Sequence, residues 1–407
     1  MASPVLAVDF GTSNTAAAVL ESSVPKPIIL GGDASMPTTV FFDALNRKVH
    51  YGNTANRMML DGEAGRYMKA LKSVLGTPLM HETRILNGRP MTFVDIIGNL
   101  LAFVRREAES QLGQPITRAL SGRPVKFHSD DDARNAAAAD DLVACYLHAG
   151  FESVDFLPEP EAAARCVQQD ILLSGKGLVV DIGGGTSDFT VFKVQNGEID
   201  IHLSEGIRLG GTDFDRELSL NHVMPELGHG STLKRAMVEG ELPMPASLFV
   251  ELATWERIPQ LYNAQTRAEV DDWHAMATEP HKLARLQCVL EEELGHDIAA
   301  QVEAAKIKAN VPDAASSIDL SLIEADLNIG LSYRQLSESL ASCERRMQKV
   351  LAAIAKEHPD VSDVLLVGGS SLMDMVQRQV GQHFPAAKTQ SHNVFAAVVE
   401  GLAYSAG

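Results

Sequence analysis

Short apolar, β-prone runs alternate along the chain with longer stretches in which apolar residues recur every three or four positions, a pattern of mixed strands and amphipathic helices. Two of the apolar runs, at 5–9 and 178–181, end at an aspartate, pass through a glycine, threonine and serine turn, and resume as β-prone runs. Each reads as a hairpin, and their likeness divides the chain into two related halves, each long enough for an α/β domain. After the first hairpin, Val94, Ile97, Leu101 and Val104 predict a helix over Phe93–Leu112 stopped by Gly113. Residues 133–147 read as a second helix with Asp130, Asp131 and Asp132 at its N-terminus, and Glu159-Pro160-Glu161 opens a third. In the second half, 248–309 is a helical block holding Trp255 and Trp273, and 319–323 with 325–329 form a hairpin. Ser332 and Gln335 form a capping box for a helix running to about Lys356. A strand over 364–367 then enters Gly368-Gly369-Ser370-Ser371, followed by a helix over 372–380.

Composition narrows the class. With 407 residues, 45% hydrophobic and 22% charged, the chain has the makeup of two or three globular domains, which excludes a disordered, collagen-like or disulfide-stapled protein. Cys145, Cys166, Cys288 and Cys343 are too scattered for a zinc knuckle or disulfide framework and read as reduced thiols. The N-terminus lacks a basic leader, so a cytoplasmic location is expected, and no apolar run is long enough to predict a membrane span. The formal charge of −18 argues against a nucleic-acid partner, since phosphates are neutralised by clustered Lys and Arg. A polyphosphate would need local backbone donors.

The glycine turns supply them. Asp9-x-Gly11-Thr12-Ser13-Asn14 places N–H groups and small hydroxyls where phosphate oxygens can sit, because glycine lets the backbone approach closely. Asp181-x-Gly183-Gly184-Gly185-Thr186 repeats the device. One such turn is explained as well by ordinary turn chemistry; two copies suit a nucleotide clamped between domains, with Asp9 and Asp181 holding Mg²⁺ largely through water. Gly368-Gly369-Ser370 lies between a strand and a helix, where α/β sheets contact ligands, although alone it is an ordinary βα turn. No HExxH or Gly-x-Ser-x-Gly pattern supports a metalloprotease or serine hydrolase.

The order of these motifs, DFGTSN, PEPEAAA, DIGGGTSD, LGGTDFD, VEAAK and LLVGGSS, resembles the nucleotide-binding domain of the 70-kDa heat-shock chaperones, within the actin, sugar kinase and heat-shock superfamily, over essentially the whole chain. The resemblance implies an α/β, two-lobed, actin-like ATPase fold of duplicated ribonuclease-H-like design with two inserted subdomains, hydrolysing ATP to ADP with Mg²⁺ and K⁺. It places a lobe I core at 1–37 and 92–172 with an insertion at 38–91. A lobe II core falls at 173–220 and 306–407, with a helical insertion at 221–305. By the same resemblance, Gly11, Thr12, Ser13, Asn14, Gly183, Gly184, Gly185, Thr186, Gly210 and Gly211 hold the nucleotide, and Asp9, Asp181 and Asp188 serve the metal ions and their waters. Lys72 reaches the γ-phosphate, Glu159 orients the attacking water, and Asp181 and Thr186 complete the catalytic set. Glu303, Lys306, Asn310, Gly368, Gly369 and Ser370 surround the adenosine.

Two departures stand out. The arginines that sandwich adenine in the family are Ile307 and Leu372 here, which removes a stacking contribution on the order of 1–2 kcal/mol per contact. At this length no peptide-binding domain is expected, and the combination resembles the short bacterial YegD-like branch. The expectation is therefore a weak ATPase and chaperone-like switch with an unidentified protein partner. The alternatives are a small-molecule kinase, or an actin-like filament or nucleotide-gated scaffold, of the same superfamily.

Overall fold

Both aspartate–glycine hairpins form. The computed structural model describes residues 4–407 apart from 129–130, 171–174, 196–197, 236–239, 256 and 391–395. The chain divides into two compact units, the larger comprising Met1–Gly210, Ala352–Leu372 and Val380–Gly407, the smaller Gly211–Leu351 and Met373–Gln379.

In the larger unit, β1 (Val5–Phe10) pairs antiparallel with β2 (Asn14–Glu21), which also carries β3 (Val24–Pro27) and β4 (Ser35–Pro37). A small sheet of β5 (Val40–Asp43), β6 (Val49–Tyr51) and β7 (Gly65–Met68), with α1 (Gly52–Leu60) between the last two strands, precedes the hairpin β8 (Arg84–Leu86) and β9 (Arg89–Met91). Then come α2 (Phe93–Leu112), β10 (Arg118–Arg123), α3 (Asp132–His148), β11 (Ser153–Pro158) and α4 (Glu159–Asp170). The first sheet has the order β11-β10-β1-β2-β3, with β10 and β11 parallel to β1.

A second sheet starts with β12 (Lys176–Ile182), β13 (Ser187–Gln195) and β14 (Glu198–Ile207), and is completed by two strands from late in the chain. The smaller unit begins at α5 (Gly211–Leu218) and holds the hairpin β15 (Thr232–Lys234) and β16 (Glu241–Pro243). Helices α6 (Ser247–Leu252), α7 (Ala264–Met276), α8 (Pro280–Glu291) and α9 (Gly295–Ala309) follow, then the hairpin β17 (Ser317–Asp319) and β18 (Asn328–Gly330), α10 (Tyr333–Ser339) and α11 (Ala341–Glu357). The chain closes with β19 (Val361–Val367), α12 (Asp374–His383), β20 (Lys388–Gln390) and α13 (Ala397–Ala406). The second sheet runs β14-β13-β12-β19-β20. In both sheets the strand that ends in the aspartate is central, with its hairpin partner on one side and parallel strands on the other.

Strand alternation sets the cores. Leu6, Val8 and Phe10 of β1 point into a cluster with Ile97, Leu100, Leu101 and Val104 of α2 and Leu142 and Tyr146 of α3. Ala7 points the other way, joining Ala162, Ala163 and Ala164 of α4, Val398 and Leu402 of α13, and Val179, Phe192 and Leu365 of the second sheet. Each fully buried Leu, Val or Phe stabilises by roughly 1.5–3 kcal/mol. The small side chains on the second face let helices and sheets approach closely: a Cβ on Gly401 would lie 1.7 Å from the Ala162 carbonyl oxygen.

The helix over Phe93–Leu112 has the expected bounds, capped reciprocally by Thr92 and Asp95 and ended by Gly113 at φ 68°. Asp131 caps α3 by accepting from the Arg134 N–H, whereas Asp130 lies outside the described residues, as does the expected lobe boundary at 172–173. The Ser332 and Gln335 capping box is present. The long helix expected after it is broken, because Leu340, buried at 2% exposure, takes φ −89° and ψ 2° between α10 and α11. The expected helix over 372–380 begins later, at Asp374, since Gly369–Leu372 is spent on a 3₁₀ turn.

Candidate functional site

Ladder register decides where the acids of the larger unit end. Asp9 is two residues before Gly11, whose N–H donates to the Asn14 carbonyl at 2.9 Å; Asp181 is two before Gly183, whose N–H donates to the Thr186 carbonyl at 3.0 Å. The two turns are closed alike. In the second, Asp181 stands directly opposite Asp188 across the ladder, and Gly206 on β14 faces Asp188. A Cβ there would come within 2.8 Å of the Asp188 Oδ1, so glycine makes room for the carboxylate.

The turns also touch. A Cβ on Gly184 would lie 2.1 Å from the Ser13 Oγ, and one on Gly210 2.5 Å from the Gly184 carbonyl carbon. Gly368, at φ +78°, sits over the end of β12, where a Cβ would meet the Ile182 oxygen at 2.4 Å and the Asp181 Oδ1 at 2.8 Å; the Ser371 hydroxyl closes that turn on the Gly368 carbonyl at 2.7 Å. Gly11, Thr12, Ser13 and Gly183 to Thr186 remain partly accessible, and Asn14 is exposed.

Lys72 arrives from elsewhere in the same unit. Ala70 adopts a left-handed conformation, φ 56° and ψ 35°, and starts the 3₁₀ turn Leu71–Val74, pinned by the buried side chains of Leu71 and Leu75. The Lys72 Nζ donates to the Glu159 Oε1 at 2.6 Å, with the two side chains 8% and 14% exposed. Glu159 is the first residue of α4, where the helix dipole favours an anion, and Gly122 on β10 leaves space for its stem.

The electrostatics are unbalanced toward negative charge. Burial pushes the Asp9 carboxyl up to about 7, with the Glu159 charge adding and Lys72 opposing. Asp188 rises to about 7 through burial and Glu159, against Lys72 and a hydrogen bond from Thr186. Asp181 lies well above the carboxylate range through burial first, then Glu159, Asp188 and Asp9. Burial alone would depress the Lys72 ammonium, but Glu159, Asp9 and Asp188 outweigh it and hold the pKa above its ordinary value. Asp9 and Asp181 are desolvated by the surrounding protein yet keep some accessible surface. Carboxyls driven toward neutrality beside accessible N–H groups suit a hard divalent cation that brings its own anion. Among the described residues no three His, Cys, Asp or Glu side chains gather as a direct metal cluster.

In the smaller unit, Glu303 and Ile307 are exposed on α9, while Lys306 is buried and paired with Asp215 of α5 at 2.8 Å. Gly211 is the first residue of α5. Asn310 accepts the Asp374 N–H at 2.8 Å, so its side chain acts as a tertiary cap on α12. In the larger unit, Leu372, at the end of the Gly369–Leu372 turn that contains Gly369 and Ser370, is exposed. Asp215 was legible only as part of the LGGTDFD run, and its pairing with Lys306 had no sequence signal.

A family model described as Hsp70 protein matches residues 80–237, which include Glu159, Asp181, Gly183 to Asp188 and Gly210. The chaperone protein DnaK of Metamycoplasma hominis is 26% identical over 383 residues, covering 93% of this chain and 54% of that protein. Both similarities are to the 70-kDa heat-shock family. The chain spans about half the length of that relative. No helix among the described residues is long and apolar enough to cross a membrane.

Proposed function

We propose that the chain binds ATP with a divalent cation and hydrolyses it slowly, working as a nucleotide-driven switch of the chaperone type. The observation that carries this is the Lys72–Glu159 pair beside three aspartates whose carboxyls are held above their ordinary range, next to two touching glycine turns. The N–H groups of 12–14 and 184–186 would cradle phosphate oxygens. Asp9, Asp181 and Asp188 would hold Mg²⁺ through its waters, with K⁺ as a second ion. When bound, Mg²⁺ supplies charge neutralisation to the phosphates and favours the ionised form of the aspartates.

Lys72 is already aimed at an oxygen anion, and on nucleotide binding it exchanges Glu159 for a terminal phosphate oxygen. Glu159, released from the ammonium, accepts a hydrogen bond from the attacking water and orients it. This is the positioning and charge compensation that phosphoryl transfer requires, with little covalent help from the protein. Glu303, Lys306, Asn310, Gly368, Gly369 and Ser370 remain the nucleoside set, with Ile307 and Leu372 giving apolar contact in place of guanidinium stacking. A lobed architecture with cores at 1–37 and 92–172 and at 173–220 and 306–407, and a protein client, complete the proposal.

The test is single-turnover phosphate release from γ-labelled ATP by wild type and Lys72→Ala. A loss on the order of 10²-fold or more is expected, the scale of removing one charge-stabilising donor. Equal rates would sink the role of Lys72, and no release by wild type with Mg²⁺ present would sink the ATPase.

A further inference from the structure

The Lys72 turn is held by one peptide unit, and side chains outside the phosphate and cation set grip both ends of it. The Leu75 carbonyl lies 2.8 Å from the His128 Nε2, and the N–H of the same peptide, belonging to Gly76, donates to the Asp141 Oδ2 at 2.9 Å. A carbonyl only accepts, so His128 carries its proton on Nε2 here. Both grips are themselves fixed. The His128 main chain is bonded twice to Asn135 of α3, its N–H donating to Oδ1 at 2.9 Å and its carbonyl accepting from Nδ2 at 2.7 Å. Asp141 is buried in α3, with its second oxygen 3.0 Å from the His81 Nε2.

The packing leaves the peptide no alternative seat. Gly76 takes φ +72°, and a Cβ on it would meet the Arg134 carbonyl oxygen at 2.4 Å and the Ala138 Cβ at 3.0 Å, so the turn lies flush on α3 only because residue 76 is glycine. From this clamp to the ammonium is one turn of 3₁₀ helix, closed by the Leu75 N–H on the Lys72 carbonyl at 3.3 Å and begun by the left-handed Ala70. A left-handed alanine is strained and persists where its surroundings over-determine it. Here the Ser73 N–H and hydroxyl both donate to the Ala70 carbonyl, at 3.0 and 2.7 Å, and the clamp holds the other end of the same turn.

We infer that Asp141 and His128 are positioning residues that set the place of Lys72: by fixing the Leu75–Gly76 peptide on α3 they hold the ammonium on Glu159 and, on the proposed function, on the terminal phosphate. Neither residue touches the reacting atoms. Their effect passes through the main chain.

The test is a double-mutant cycle between Lys72→Met and Glu159→Gln, measured by urea unfolding in the wild-type, Asp141→Ala and Asp141→Asn backgrounds. Asn can still accept the Gly76 N–H at Oδ1, whereas Ala cannot. The expected result is loss of the Lys72–Glu159 coupling in Asp141→Ala and its return in Asp141→Asn. A coupling unchanged in Asp141→Ala overturns the inference, because a merely structural aspartate would lower stability and leave the pair intact. Should Asp141→Ala fail to fold, His128→Ala against His128→Gln makes the same comparison, since the Gln amide can donate to the Leu75 carbonyl; equal coupling in those two overturns it as well. Phosphate release is measured alongside, with kcat expected to fall on the order of 10²-fold in Asp141→Ala while KM for ATP changes far less. The two claims fail separately: absence of turnover in wild type removes the ATPase and leaves the coupling pattern to decide the clamp.

Discussion

Replacing Lys72 by methionine, which keeps the apolar stem and deletes the ammonium, should expose how much of the larger unit's stability depends on one cation among acids. The pair it breaks is 2.6 Å long with side chains 8% and 14% exposed, so it belongs with buried ion pairs. Removing one partner of such a pair costs about 3–5 kcal/mol, because the remaining charge is left desolvated. Protonation gives the variant a way out. In the wild type Asp9 and Asp188 sit at about 7, above the unfolded value of about 4. Between those values the folded chain binds more protons than the unfolded one, so stability falls as pH rises through that window. Lys72 opposes the rise at Asp9, Asp181 and Asp188. Without it their folded pKa values go higher and the window of falling stability extends upward. The penalty of Lys72→Met should therefore be smallest near pH 5 and reach its full size near pH 8.5. Urea unfolding followed by circular dichroism at both pH values, with EDTA present, measures it. A penalty below about 1 kcal/mol at pH 8.5, typical of a solvated pair, or one of equal size at both pH values, would refute the reasoning. Adding Glu159→Leu should recover most of the loss, since removing both charges removes the unpaired one.

Gly184→Ala should weaken ATP binding about tenfold or more by calorimetry, because its Cβ falls 2.1 Å from the Ser13 Oγ, and Ser13→Gly in the same chain should restore part of it. Gly401→Ala should lower stability by at least about 2 kcal/mol in thermal melts, since α4 and α13 must separate to admit the methyl group, and an unchanged melting temperature would mean the helices are not packed this closely. Native protein should give Ellman's reagent at most the half-buried Cys288 quickly, with Cys145, Cys166 and Cys343 reacting only in urea; burial pushes the Cys145 thiol far up, so three fast native thiols would contradict the core. With Ile307 and Leu372 exposed in place of guanidinium groups that could stack on a base, ATP should be preferred to GTP by less than about tenfold in calorimetry, and a strong preference would show another group reading the base.

Periodicity was enough for elements whose local signals agreed. Apolar residues at helical spacing, with glycine after the last of them, located Phe93–Leu112, and the Asp-x-Gly runs located both hairpins, because a turn and its flanking strands are short-range objects. It failed where burial overrode local preference. Nothing about Leu340 forbids helix, yet it takes ψ 2° and splits α10 from α11 with its side chain in the core.

By itself the sequence determined the chemistry available: two acid-and-glycine turns, a lysine at position 72 and a Pro-Glu-Pro-Glu turn, assigned roles through their ordered resemblance to a family. Only the tertiary structure decided which partners those groups have. Lys72 and Glu159 are 87 positions apart and share a hydrogen bond because a strained alanine and a peptide gripped by His128 and Asp141 aim one of them. Lys306 is paired with Asp215, and Asn310 accepts from the first turn of α12. The raised carboxyls have the same origin. A pKa depends on the water and charge surrounding a group, and these are set by residues far away in the chain that packing brings near.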